Sequence, residues 1–62
     1  MNKFIININP KYENELAKIA IITWKSSLVK GLYCISSNND INFLKAVSYV
    51  INVVMDSEGF LC

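Results

Sequence analysis

The chain has 62 residues, 53% of them hydrophobic, with a net charge of +1 and no histidine. That length makes one small domain, residues 1–62, which buries only about 60% of its unfolded surface and cannot enclose so much apolar side chain by itself. The weak net charge provides no field to draw in nucleic acid or an acidic membrane, and the missing histidine removes the usual neutral-pH base and a common zinc ligand.

Residues 3–8, KFIINI, alternate as a strand does, with Phe4, Ile6 and Ile8 on one face and Lys3, Ile5 and Asn7 on the other. Asn9-Pro10 follows and reads as a helix start. Asparagine caps, proline suits the first helical position, and Glu13 and Glu15 lie near the positive end of the dipole. A stripe of Ala17, Ile21, Trp24 and Leu28, flanked by Leu16 and Ala20, then continues at helical spacing. The β-branched run IAIITW opens an alternative, a strand that turns at Ser26-Ser27 and pairs with LVKGLYCIS as a hairpin. The capping signals favour the helix. Beyond it, either the stripe runs on to Ile35 or Gly31 breaks it and Leu32–Ile35 forms a second strand beside the first. Residues 36–39, SSNN, read as a loop.

Asn39–Met55 carries the strongest helical pattern. Phe43, Leu44, Val47, Val50, Ile51, Val54 and Met55 fall on one side at 3.6 residues per turn, and Asn42, Lys45, Ser48, Tyr49 and Asn52 on the other. Asn39 or Asp40 caps its start, and Gly59 can close it after Asp56-Ser57-Glu58. The apolar tail Phe60-Leu61-Cys62 is expected to fold back on the core or dock on a partner. The resulting expectation is an α+β two-layer domain: an N-terminal strand, a central helix or hairpin, and a C-terminal amphipathic helix.

Chemical equipment is sparse. The two cysteines, Cys34 and Cys62, have no metal-ligand spacing. A reduced, buried Cys34 and a loose Cys62 are the expectation. Cys34 has no candidate base to activate it, and Glu13 and Glu15, two apart on a helix, point to different sides. No glycine-rich phosphate loop is present. These features predict a non-enzymatic protein with no cofactor and no metal. No apolar run reaches the 18 to 20 residues that span a bilayer, and no secretory signal is visible, so a cytoplasmic protein without membrane contact is expected.

Five lysines against Glu13 and Glu15 give residues 1–31 a balance of +3, while Lys45 against Asp40, Asp56 and Glu58 gives residues 32–62 a balance of −2. Lys18, Lys25 and Lys30 beside Tyr33 would form a small basic patch, although a solvated lysine face is the better reading. Trp24 suits core or interface packing. Tyr49 projects from the polar side of the predicted helix, where a large aromatic can anchor a partner. Trp24, Tyr33, Tyr49, Lys18 and Lys25 are therefore the candidate partner-binding residues.

Nine Ile, eight Asn and six Lys, with no Arg or Gln, match AT-rich codons of the kind common in phages and mobile elements. Together these features predict a module that binds a protein or its own copy. One form of that role is a phage or mobile-element inhibitor or modulator of a cellular or defence enzyme. The alternatives are a small nucleic-acid-binding regulator and a structural subunit of a larger complex.

Overall fold

The computed structural model describes residues 1–56. They form a small α+β domain with a four-stranded antiparallel sheet and two short helices. The order along the chain is β1 (Asn2–Ile8), a 3-10 turn (Pro10–Tyr12), α1 (Glu13–Ile19), β2 (Ile21–Lys25), β3 (Leu32–Ser37), α2 (Ile41–Ala46) and β4 (Val50–Met55). In the sheet the order is β2-β3-β1-β4, so β1 lies inside and β2 and β4 are the edges.

β1 forms as its alternation predicts, with Phe4, Ile6 and Ile8 buried. Directly paired residues share a face, so Ile35 and Tyr33 of β3 and Val53 of β4 join them. Leu16 of α1 and Leu44 of α2 complete the core cluster, which places both helices over this one face. Each of these side chains is worth roughly 1.5–3 kcal/mol on full burial.

Asn9 starts the first helical segment as expected, its side chain accepting from the Lys11 N–H at 3.2 Å, with Pro10 behind it. The predicted stripe through Trp24 and Leu28 does not form a helix, however. α1 stops at Ile19, and Ile21–Lys25 is a strand paired with β3. The hairpin alternative is the one that folds. Its physical reason is the β-branched run Ile19, Ile21, Ile22, Thr23, which packs better on a pleated surface than against a preceding helical turn. The end of α1 is held from the neighbouring strand: Ser37 Oγ and Asn39 Nδ2 donate to the Ile19 carbonyl at 3.1 and 3.2 Å. Ser37 and Ser36 thus belong to β3 and not to the predicted loop.

Ser26 organises the hairpin connection, its hydroxyl accepting from Leu28 and Val29 N–H at 3.2 and 2.9 Å. Gly31 ends it with φ 91°, a left-handed value that glycine adopts without a Cβ penalty. A Cβ there would lie 2.2 Å from the Ile8 carbonyl oxygen.

The long helix predicted over Asn39–Met55 is corrected more sharply. Asp40 does cap a helix, accepting from Phe43 N–H at 2.8 Å, but α2 ends at Ala46 and Val47 is extended. Val50–Met55 is the edge strand β4. Val50, Ile51, Val53 and Val54 are β-branched, and β1 offers them a ready edge to pair with. The apolar positions at 50, 51, 54 and 55 fit a helical stripe only by coincidence of spacing. The predicted helix end at Ser57–Gly59 and the tail Phe60-Leu61-Cys62 lie outside the described residues.

Cys34 is buried, as expected, but it is disulfide-bonded and not a reduced thiol. The physical reason for the miss is that spacing in a sequence does not reveal which backbones approach within bridging distance. The expectation of a loose Cys62 falls outside the described residues.

Candidate interaction surface

Both helices cover one face of the sheet, and among the described residues no helix covers the other. The pairing register defines its central row. Trp24 of β2 stands opposite Cys34 of β3, Cys34 opposite Ile5 of β1, and Ile5 opposite Val54 of β4. A β-bulge between Ile22 and Trp24 sets this alignment, since without the extra residue Trp24 would fall one position away. The row therefore crosses all four strands, spaced about 4.8 Å apart.

The ends of the row are open: Trp24 and Val54 are each 46% exposed. Its centre is closed, with Ile5 half-buried and the disulfide-bonded Cys34 fully buried. The neighbouring rows mix polar and apolar positions: Lys3, Ser36 and the exposed Ile21 lie on one side, and Asn52, Asn7 and the half-buried Leu32 on the other. An apolar strip with polar positions beside it is the ordinary anatomy of a protein-binding patch. Leu28 and Val29 at the hairpin tip, Phe43 on α2, and Ile51 and Met55 on β4 add exposed apolar surface elsewhere.

The other sequence-derived candidates lie on the helical side of the sheet. Tyr33 is a core residue, 3% exposed, whose hydroxyl donates to Glu13 Oε1 at 3.1 Å. Lys25, paired with Tyr33 across the hairpin, donates to the other oxygen of Glu13 at 2.9 Å. Glu13 thus clamps α1 to the hairpin through both partners. The bonds from Lys25 and Tyr33 hold its carboxyl below the usual range. Burial, with the Glu13 carboxylate beside it, raises the Tyr33 phenol. A carboxylate held ionised in this way is a weak proton acceptor, so the cluster is suited to fixing geometry. An open hollow beside it is lined by Pro10, Glu13, Lys25, Ser26, Lys30 and Tyr33.

Lys18 pairs with Glu15 at 3.3 Å on the outer side of α1, away from Lys25. Tyr49 lies in the turn between α2 and β4, stacked on Tyr12 with ring centroids 5.2 Å apart and planes 13° from parallel. Lys11 sits over the Tyr12 ring at 5.1 Å. Burial raises the Tyr49 phenol, with Glu15 adding to the effect. Tyr49 therefore ties the second helical crossing to the first. The structure brings together Lys25 and Tyr33 of the predicted set, and leaves Trp24, Lys18 and Tyr49 at separate places.

Ile5 and Val54 were not among the sequence candidates. Ile5 was legible as the outward residue of β1, but Val54 was assigned to the wrong element. Among the described residues no group of three or more His, Cys, Asp or Glu could hold a metal ion, and no helix is long and apolar enough to cross a membrane. No protein-family model, curated protein or solved structure matches the chain.

Proposed function

We propose that this chain is a non-enzymatic interaction module that binds protein through the face of its sheet opposite the two helices. The observation that carries this reading is the row Trp24–Cys34–Ile5–Val54, apolar along its length, with polar positions in the rows beside it, and exposed at both ends. A large, rigid indole at one end supplies the kind of anchor that dominates binding energy at interfaces. An inhibitor or modulator of a cellular or defence enzyme works by occupying a surface, and such a role fits this equipment. The AT-rich residue usage supports a phage or mobile element as its source.

The nucleic-acid alternative draws less support. Lys18 and Lys25 are each paired with a glutamate and Tyr33 is buried, so Lys18, Lys25 and Lys30 have no exposed stacking ring at Tyr33 beside them. A permanent place in a larger assembly would use the same apolar row. As to compartment, a disulfide at Cys34 favours an oxidising environment, which weighs against the cytoplasmic expectation.

The test is affinity capture from the source cell, using the tagged wild-type chain, a Trp24→Ala/Val54→Lys double variant and a Leu28→Ala control. The proposal expects a protein retained by wild type and control and lost with the double variant. Retention by all three, or salt-sensitive recovery of nucleic acid instead, would overturn it.

A further inference from the structure

Among the described residues both sheet edges are without a further strand, but they are not alike. β2 carries a bulge and ends in Lys25, two devices that discourage further strand pairing. β4, Val50–Met55, has no charge and no proline, and Ile51, Val54 and Met55 are exposed on it. An edge of that kind is a template for another strand.

The hydrogen-bond pattern shows which groups face outward. Asp56 N–H donates to the Lys3 carbonyl at 2.9 Å. Directionality alternates along a strand, so Val54 also bonds inward to Ile5, while the N–H and C=O of Val53 and Met55 point to the open edge. The opposite edge of β1 agrees. Ile8 N–H donates to the Gly31 carbonyl at 2.9 Å, which turns Ile8, Ile6 and Phe4 toward β3 and leaves Lys3, Ile5 and Asn7 for β4.

We infer that β4 pairs antiparallel with β4 of a second copy about a two-fold axis through Val54. The inference rests on the reading of the chain as an interaction module and names one surface and one partner. In this register Val53 of each copy lies opposite Met55 of the other. These four residues have outward-facing backbone groups, so their N–H and C=O complete two hydrogen-bonded pairs. Val54 meets its own copy in the closer, non-hydrogen-bonded position, where Cα atoms stand about 4.5 Å apart.

Three features favour a second copy over an unrelated strand. The apolar row ends at Val54, so the axis joins it to the same row of the partner without a gap. β4 carries no charge, so no like charges meet across the axis. The axis is closed, and the bulged β2 edges left at the two ends of the joint sheet stop further growth.

The experiment uses the full chain. Sedimentation equilibrium should give about twice the 7.0 kDa monomer mass. Val54→Cys should cross-link to a covalent dimer under mild oxidation, because the pair lies within disulfide reach. Asn52→Cys should not, since its copies would be about 13 Å apart along the strands. Met55→Pro removes an outward N–H that bonds nothing among the described residues, and it should weaken dimerisation at least about tenfold. Val54→Lys should do likewise and guards against a proline folding defect.

A monomer at every concentration, cross-linking of Asn52→Cys as fast as Val54→Cys, or a dimer indifferent to both Met55→Pro and Val54→Lys would overturn the inference. A monomer that still captures a foreign protein through Trp24 would leave the interaction module standing and remove only the self-pairing.

Discussion

Replacing Gly31 with alanine should be among the most damaging single changes in this chain. The residue holds φ at 91°, and an added Cβ would lie 2.2 Å from the Ile8 carbonyl oxygen, a backbone atom that cannot swing aside. Holding a non-glycine residue in such a conformation costs on the order of 1–3 kcal/mol. Relieving the contact means moving Gly31 away from Ile8, which gives up the bond from Ile8 N–H to its carbonyl, worth about 1 kcal/mol. The combined loss is about 2–4 kcal/mol. At about 0.05–0.15 kcal/mol per residue, that is a large share of the whole stability of a 62-residue domain. Urea unfolding followed by Trp24 fluorescence would show the midpoint falling by about 2–4 M, taking a slope near 1 kcal/mol per M for so small a chain. Asparagine makes a useful comparison, because it tolerates positive φ better than alanine yet brings the same Cβ. If the close contact dominates, Gly31→Asn should lose nearly as much. A Gly31→Ala loss below about 0.5 kcal/mol, or full recovery with asparagine, would refute this reasoning.

Two further outcomes follow from the same contacts. Asp40→Ala should cost about 1 kcal/mol by removing the cap on Phe43 N–H, seen as a melting temperature lower by about 4–8 °C, while Asp40→Asn keeps most of it; equal losses in the two variants would count against the cap. Glu13 has a folded-state pKa below its ordinary 4.5, so its contribution is present above that pH and disappears as pH falls through the lowered value. Glu13→Gln should therefore flatten the acid side of the stability–pH curve. Tyr33, raised above 10.0, behaves oppositely: its contribution is complete below pH 10 and lost as pH rises through the higher value, and Tyr33→Phe should flatten the alkaline side. Denaturant midpoints across pH check both, and unchanged limbs would contradict the clamp.

Where local chemistry decides the structure, it can be read from the residues. The alternation at Phe4, Ile6 and Ile8, the Asn9-Pro10 start and the Asp40 cap all act within a few residues, and all appear in the fold. The two segments misread as helix share a different property. Ile21–Lys25 and Val50–Met55 both carry apolar residues at spacings that suit a helix stripe, yet they become strands because partners distant in sequence supply their hydrogen bonds. Their β-branched residues were the available signal and outweigh spacing here. Nothing in Val47-Ser48-Tyr49 marks the reversal into β4, since the turn lacks glycine and proline.

The candidate surface was legible only in part. Trp24 stood out by its chemistry, but its neighbours did not, because the row with Cys34, Ile5 and Val54 exists only after four strands align in register. Tyr49 looked like a surface anchor because the helical reading turned it outward, and Tyr33 because it falls beside the lysines. In the sheet one becomes core and the other stacks on Tyr12 between the helical crossings. Lys18 and Lys25 are both largely exposed; the glutamate partner of Lys18 lies in its own helix, while that of Lys25 depends on how α1 meets the hairpin.

Hydroxyl-radical footprinting read by mass spectrometry, on the tagged chain in dilute buffer and in concentrated lysate of its source cell, measures directly which surface is occupied. Labelling of Trp24 and Val54, each 46% exposed in the free chain, should fall in lysate while Leu28, at 93% exposure on the hairpin tip, stays labelled. Unchanged labelling of Trp24, or equal protection of Leu28, would contradict that expectation.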